Sequence, residues 1–212
     1  LNSILSISIA YLLGAIPSAV WVSKLYKGID IREFGSKNAG LTNVFRVLGY
    51  KPALPVVFVD LGKGLAAPYI AAQLCPTQSW VPLTAGIAAI FGHSFTCFAG
   101  FKGGKGVLTA LGVFLFLAPI PALLSFAVWV AVTFSTRYVS LGSILACSML
   151  GLSLSWARFM LLPDHALYAS TGLWLAGMLV AIFVILKHKS NIKRLLAGTE
   201  NRFGVKKEEP IK

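Results

Sequence analysis

Val107-Leu-Thr-Ala-Leu-Gly-Val-Phe-Leu-Phe-Leu-Ala-Pro119-Ile-Pro121-Ala-Leu-Leu-Ser-Phe-Ala-Val-Trp-Val-Ala-Val-Thr-Phe134 decides how this chain is threaded. The run holds about 28 residues, where one membrane-spanning helix needs about 20. Two prolines near its centre remove backbone donors and crowd the preceding turn, which breaks a helix. Read as one tilted helix, it leaves the chain with six spans. Read as a hairpin turning at Pro119-Ile120-Pro121, it leaves seven.

Composition makes the membrane the right frame. Of 212 residues 57% are hydrophobic and only 12% charged, and mean hydropathy is +0.78, far more apolar than a soluble domain. Further apolar stretches run over Ile4–Val22, Ala53–Leu74, Trp80–Phe98, Val139–Phe159 and Ala166–Leu186, most near the length of a span. The first is too long, and lacks a recognisable cleavage site, to be a removable signal; it reads as a helix kinked at Gly14 and Pro17.

Charge then chooses between the two threadings. The formal charge of +12 comes from 19 Lys and Arg against 7 Asp and Glu, and the basic residues sit mainly between or after the apolar stretches. That placement suits orientation and anionic ligands better than nucleic-acid readout, and no nucleic acid is expected. Lys24, Lys27, Arg32, Lys37, Arg46 and Lys51 crowd the first connection, which the positive-inside rule assigns to the cytoplasm. The next connection, around Pro76 to Ser79, has no basic residue and reads as external. A single long helix would send Arg137 and the basic tail from Lys187 to Lys212 outside, against the rule. The hairpin returns both to the cytoplasm and leaves only Arg158, close to Asp164, external.

The expected fold is all-α: a polytopic membrane protein with seven transmembrane helices including a short Pro-broken helical hairpin. Its N-terminus is outside, its C-terminus cytoplasmic, and 1–212 forms a single domain. Each hairpin arm, at about 12 to 15 residues, falls short of a full crossing. Cys75, Cys97 and Cys147 are scattered, which supports neither a disulfide framework nor a zinc site.

Three polar clusters face the same compartment in this threading. The first runs Gly35-Ser36-Lys37-Asn38-Ala39-Gly40-Leu41-Thr42-Asn43-Val44-Phe45-Arg46, where hydroxyls, amides and one guanidinium alternate with glycines. A tight turn there can aim neutral donors and a cation at an anionic ligand; Thr42 or Asn43 as a simple helix cap is the alternative. The second holds Gly100, Gly103, Gly104 and Gly106 around Lys102 and Lys105. Bare backbone N–H groups beside fixed cations suit phosphate, and so does a plain loop whose lysines mark the cytoplasmic face. It is no Walker A loop, since Ala99 replaces the first Gly and Gly106 follows Lys105. His93 just precedes it, with catalysis and an interfacial hydrogen bond both open. The third follows the last apolar stretch, where His188 and Asn191 share a helical face in a lysine-rich segment ending at Glu200; lying on anionic lipid is its alternative role. Ser140 and Ser143 add hydroxyls at the same end.

Within the second apolar stretch Asp60 and Lys63 stand three residues apart. Charges inside a span are costly and mark either function or a structural ion pair. No carboxylate pair, nucleophile elbow or metal-ligand cluster is visible.

At these three clusters the chain resembles the bacterial membrane-embedded acyl-phosphate:glycerol-3-phosphate acyltransferases, a phospholipid-synthesis family, over nearly its whole length. The resemblance implies attack of the 1-hydroxyl of glycerol 3-phosphate on the carbonyl of a fatty acyl phosphate, giving 1-acylglycerol 3-phosphate and phosphate. It implies an acyl phosphate donor, not acyl-CoA or acyl carrier protein, and a bacterial inner membrane with the site facing the cytoplasm. Ser36, Asn38, Thr42, Asn43 and Arg46 match polar family positions, with Ser36 and Arg46 the functional pair. Gly103, Gly104 and Gly106, with Lys105 among them, match glycines assigned to acyl-phosphate binding. His188 and Asn191 match residues needed for activity, while Glu200 and Asp60 read as structural. Lys63, His93 and Ser143 complete the expected substrate-binding set. Lys37 departs from the family's usual Gly, Thr96 from Pro and Leu108 from a small residue.

An acyl phosphate is already activated, so the protein has mainly to align two substrates and offset crowded negative charge. His188, His93 or a substrate phosphate could accept the hydroxyl proton. No metal or organic cofactor is implied, and no obligate protein partner. A small transporter of a phosphorylated metabolite is the competing class, motivated by the broken hairpin and the Asp60–Lys63 pair. A lipid-binding scaffold explains the basic tail alone.

Overall fold

The computed structural model describes residues 1–159 and 170–204, and these are helical without any strand. Asp164 and the lysines beyond 204 lie outside the described residues. Helix α1 (Asn2–Ala15) stops at Ile16-Pro17, and α2 (Ser18–Lys27) continues the same span to the left-handed Gly28. A 3-10 turn at Ile31–Glu33 leads to α3 (Leu41–Leu48), and Gly49 turns the chain into α4 (Tyr50–Leu74). Then follow α5 (Trp80–Ser94), α6 (Val107–Leu117), α7 (Pro119–Thr136), α8 (Val139–Phe159), α9 (Thr171–Lys187) and α10 (Lys189–Leu196).

Five segments among the described residues are long and apolar enough to cross a membrane: α1 with α2, α4, α5 extended to Ala99, α7 and α8. Helices α9 and α10, bent by 57° at His188, make a sixth if counted as one span.

The decisive run does break at its first proline, but not into equal arms. Helix α6 has 11 residues and α7 has 18, where two arms of about 12 to 15 were expected. Pro119 opens α7 as its first residue, and a proline in the first turn lacks only an N–H that would have no helical partner anyway. The break therefore falls at Ala118, and Pro121 rides inside α7 without interrupting it.

Two close helix crossings organise the bundle. Gly14 of α1 lies against the Ala89 carbonyl of α5, while Gly92 of α5 lies against the Tyr11 carbonyl of α1. The same reciprocal arrangement joins α4 and α6 through Gly64 with Thr109 and Gly112 with Leu61. A Cβ at any of these four positions would overlap backbone, the small-residue packing that helices use where lipid offers no hydrophobic drive. The main core, around Ile90, Val113, Phe114, Leu150, Leu154 and Val184, joins α5, α6, α8 and α9. Helix α6 leaves the polar end of the bundle at Lys105, beside α10. Helix α7 returns to that end at Arg137, whose carbonyl accepts from Phe203 N at 2.7 Å.

Candidate active site

The first loop is built around one amide. Asn43 is buried, its Oδ1 accepts from Ser36 N at 2.9 Å, and its Nδ2 donates to the carbonyls of Ile31, Phe34 and Asn38 at 3.0 to 3.1 Å. It therefore folds the turn. Helix α3 instead begins at Gly40 with no side-chain cap, so the capping roles considered for Thr42 and Asn43 are not taken up. Lys37 adopts φ 57°, the left-handed conformation in which a Cβ costs roughly 1 kcal/mol or more.

The second loop hangs from the end of α5. Gly103 N donates to Ser94 O at 3.3 Å and Gly104 N to His93 O at 3.1 Å, so these two N–H groups are committed to backbone. A Cβ on Gly103 would overlap the His93 carbonyl, and one on Gly104 the His93 ring. These glycines permit close approach to α5, while Gly106, at φ 81°, turns the chain into α6. Arg32 fastens the loop from outside: Nη1 donates to Ala99 O at 2.7 Å while Asp30 grips Nε and Nη2 at 2.9 and 2.7 Å. That hydrogen-bonded guanidinium holds the Asp30 carboxyl down to about 2.

The third cluster locks onto the second. Lys105 Nζ donates to Asn191 Oδ1, and Asn191 Nδ2 donates to Glu200 Oε1 at 2.8 Å. Glu200 also accepts from Ser140 Oγ at 2.9 Å and from Arg194 Nε at 2.7 Å. His188 is buried at the bend, and its Nδ1 lies 2.7 Å from Val184 O. A carbonyl only accepts, so Nδ1 carries the proton and Nε2 keeps its lone pair. The chain after α10 folds back over this end, with Phe203 stacked on Phe45 at 5.0 Å between ring centroids.

These elements enclose a cavity of about 570 Å³. Its polar end carries Ser36, Asn38, Thr42, Arg46, Lys105 and Gly106 with His93, Ser143, His188, Asn191 and Glu200, and Asp60 and Asn43 also reach it. Lys63, Gly103 and Gly104 do not line it. Lys63 is turned away, donating to Ile16 O at 2.8 Å. The cavity continues between α6, α7 and α8 along Leu111, Phe114, Phe126, Trp129 and Leu150. The sequence did not single out Lys187, Arg194 or Asn201, which line the polar end. In a lysine-rich tail, charge alone does not separate a cavity cation from an interfacial one.

Electrostatics follow from the enclosure. Burial pushes the Lys105 ammonium down to about 8; Arg194, Arg46 and Lys187 push the same way, and Glu200 opposes them. Burial likewise lowers Arg46 from the ordinary arginine value, with Glu200 opposing. One carboxylate thus serves several cations, and the end of the cavity is open to anions.

Comparison with known proteins points to one family. The sequence profile described as "Glycerol-3-phosphate acyltransferase" matches residues 4–198. The protein of that name from Fusobacterium nucleatum subsp. nucleatum is 45% identical over 197 residues, covering 93% of this chain and 96% of its own. The crystal structure of PlsY, an integral membrane glycerol 3-phosphate acyltransferase, in its glycerol 3-phosphate form superposes with a TM-score of 0.86 at 40% identity, covering 96% of each chain. Its lysophosphatidic acid form gives 0.83 at 39% identity, with the same coverage.

Proposed function

The chain belongs to the glycerol-3-phosphate acyltransferase family, and from that premise we propose that it moves a fatty acyl group from an acyl phosphate to the 1-hydroxyl of glycerol 3-phosphate. The products are 1-acylglycerol 3-phosphate and phosphate, the first acylation of bacterial phospholipid synthesis. One observation carries the reading: a single cavity joins a cation-rich end to an apolar branch between α6, α7 and α8. A phosphorylated polyol fits the first and an acyl chain the second, and their reacting ends meet where the two parts join.

In the transfer, the hydroxyl oxygen bonds to the acyl carbonyl carbon, the bond from that carbon to the phosphate oxygen breaks, and the hydroxyl proton leaves to a base. Lys105 and Arg46 stabilise the charge gathered on the phosphates, a role that fixed cations in a water-poor site perform without reorganising. The N-terminus of α6 adds its first N–H groups, with Gly106 and Val107 at the cavity wall. Ser36, Asn38 and Thr42 offer uncommitted neutral groups to the same ligands. Asn191 positions Lys105, and Glu200 holds Asn191 and Arg194. Ser143 and His188 complete the substrate wall.

The same reading treats α6 and α7 as two passes, giving seven transmembrane helices in one domain, N-terminus outside and C-terminus cytoplasmic. Its support is that Lys105 and Arg137 lie at one end with Arg46 and the residues after α9, so one membrane face collects the basic loops. That face is the cytoplasmic side of the bacterial inner membrane, where the polar substrate resides, and the acyl phosphate arrives with its chain in the lipid. The site uses no metal or organic cofactor and no obligate protein partner.

The test is mass-spectrometric detection of product from purified protein supplied with glycerol 3-phosphate and, separately, palmitoyl phosphate, palmitoyl-CoA or palmitoyl carrier protein. Lysophosphatidic acid from the acyl phosphate alone is expected. Product from the thioesters alone would refute the donor, and no product from any donor would refute the enzyme.

A further inference from the structure

Asp60 is a buried carboxylate on α4 whose own helix already supplies a neutralising cation. Lys63 Nζ lies 2.8 Å from its Oδ1, and Ser18 Oγ donates to the same oxygen at 2.7 Å. Lys63 also holds the Ile16 carbonyl at the break between α1 and α2. This much is a balanced ion pair that secures a helix break. Yet His93, on α5, also turns Nδ1 to Asp60 Oδ1, at 3.5 Å. Asp60 and His93 both line the cavity, whereas Lys63 does not.

The far edge of the His93 ring faces the glycine loop, close enough that a Cβ on Gly104 would overlap Nε2. A carboxylate accepts hydrogen bonds, so in the neutral imidazole the ring nitrogen facing Asp60 carries the proton and Nε2 is the one with the lone pair. The contact is long for a hydrogen bond, as such contacts often are before a substrate closes them. An acceptor there has a use. Arg46, Lys105, Lys187 and Arg194 are donors and suit phosphate, but a polyol hydroxyl must also donate its own proton. Several acceptors nearby are already engaged: Glu200 by Ser140, Asn191 and Arg194, Asn191 Oδ1 by Lys105, and Asn43 Oδ1 by Ser36 N. His93 Nε2 differs from the open acceptors of Ser36, Asn38, Thr42 and His188 in having a buried carboxylate behind its ring.

We infer that Asp60 is a positioning residue: it orients His93 so that Nε2, at the Gly104 turn, accepts a hydrogen bond from a hydroxyl of the polyol phosphate. The inference rests on the acyltransferase reading and assigns Asp60 more than the structural role its ion pair suggests. Lys63 then belongs to the scaffold and touches no substrate.

The experiment removes the charge pair without removing its balance. Asp60→Asn alone strands Lys63 as an uncompensated buried charge, whereas Asp60→Asn with Lys63→Gln removes both charges and restores stability. In purified protein, the double variant is expected to unfold near the wild-type temperature while its kcat/KM for glycerol 3-phosphate stays at least roughly tenfold low. Adding His93→Gln to it is expected to cost no more than about twofold further, because groups that act through one another do not lose activity independently. Wild-type kcat/KM in the double variant, or a full independent loss on adding His93→Gln, overturns the inference.

A second comparison needs no change at Asp60. In the wild-type background, Gln at position 93 can place an oxygen near the site of Nε2, and Asn near that of Nδ1. His93→Gln is therefore expected to retain more turnover than His93→Asn, and the reverse order overturns the inference. Wild-type protein that makes no lysophosphatidic acid refutes the acyltransferase reading itself, and this inference with it.

Discussion

Around Asp60 each charge has its partner, whereas around Lys105 several cations share one carboxylate. Lys63 answers Asp60 at 2.8 Å, Ser18 adds a hydrogen bond at 2.7 Å, and both ionic side chains are about 3% exposed. In the second cluster Arg46, Lys105, Lys187 and Arg194 approach the same cavity, and among the described residues Glu200 forms an ion pair only with Arg194. Buried charge is tolerated when it is paired and hydrogen-bonded. The first cluster meets that condition within the protein. The second is left to meet it with bound anions under the proposed function, so the Asp60 pair is settled within the protein while the Lys105 cluster is not.

The comparison breaks most visibly at Lys105. Lys105→Ala removes a cation from the open cluster and leaves Asn191 Oδ1 without its donor. Kcat/KM for glycerol 3-phosphate should fall by roughly 100-fold or more, the usual cost of losing one preorganised group that stabilises developing charge. Thermal unfolding should move little or upward, because the open cluster is self-repelling. Activity within tenfold of wild type would mean that the cluster is not the place where charge develops.

A smaller effect sharpens the same contrast through pH. Desolvation in the cavity wall pushes the Lys105 ammonium down to about 8, so its charge is present below that value and is lost as pH rises through it. Since kcat/KM reports ionisations of the free enzyme, it should decline about tenfold for each pH unit above about 8. Lys105→Arg, whose guanidinium does not lose its proton in this range, should remove the decline while lowering activity through altered geometry. A decline that persists unchanged in Lys105→Arg would assign the titration to another group.

Much of this contrast was visible before the structure. The two prolines predict a turn at Pro119-Ile120-Pro121, and the structure breaks the run one residue earlier, at Ala118; the loop composition predicts which connections gather polar groups, and Ser36, Arg46, Lys105, His188 and Asn191 do line one cavity. What the sequence hid was tertiary. The N–H groups of Gly103 and Gly104 looked free, but they bond to carbonyls at the end of α5, and nothing local announces those partners. Asn43 looked like a ligand or a cap, yet it serves four backbone groups of its own loop. Leu111, Phe126 and Trp129 could as well have faced lipid, since a span is apolar all round and periodicity cannot separate a groove from a lipid face. The unequal hairpin arms were missed because the first of two nearby prolines can begin a helix that carries the second in its first turn.

The smallest expected effect is the most direct check that geometry, not local charge, makes the site. Lys102 sits three residues before Lys105 in the same glycine-rich loop, but it is exposed and does not line the cavity. An exposed charge acts through water, and at physiological ionic strength its field is screened over about 8 Å. Lys102→Ala should therefore change kcat/KM by less than about twofold, with most of that difference lost as salt is raised. Lys105→Ala should keep its full defect under the same conditions, because a partly buried cation is screened much less. Equal losses in the two variants would mean that the loop works as an unspecific basic patch, and the distinction between the closed and open clusters would then lose its functional meaning.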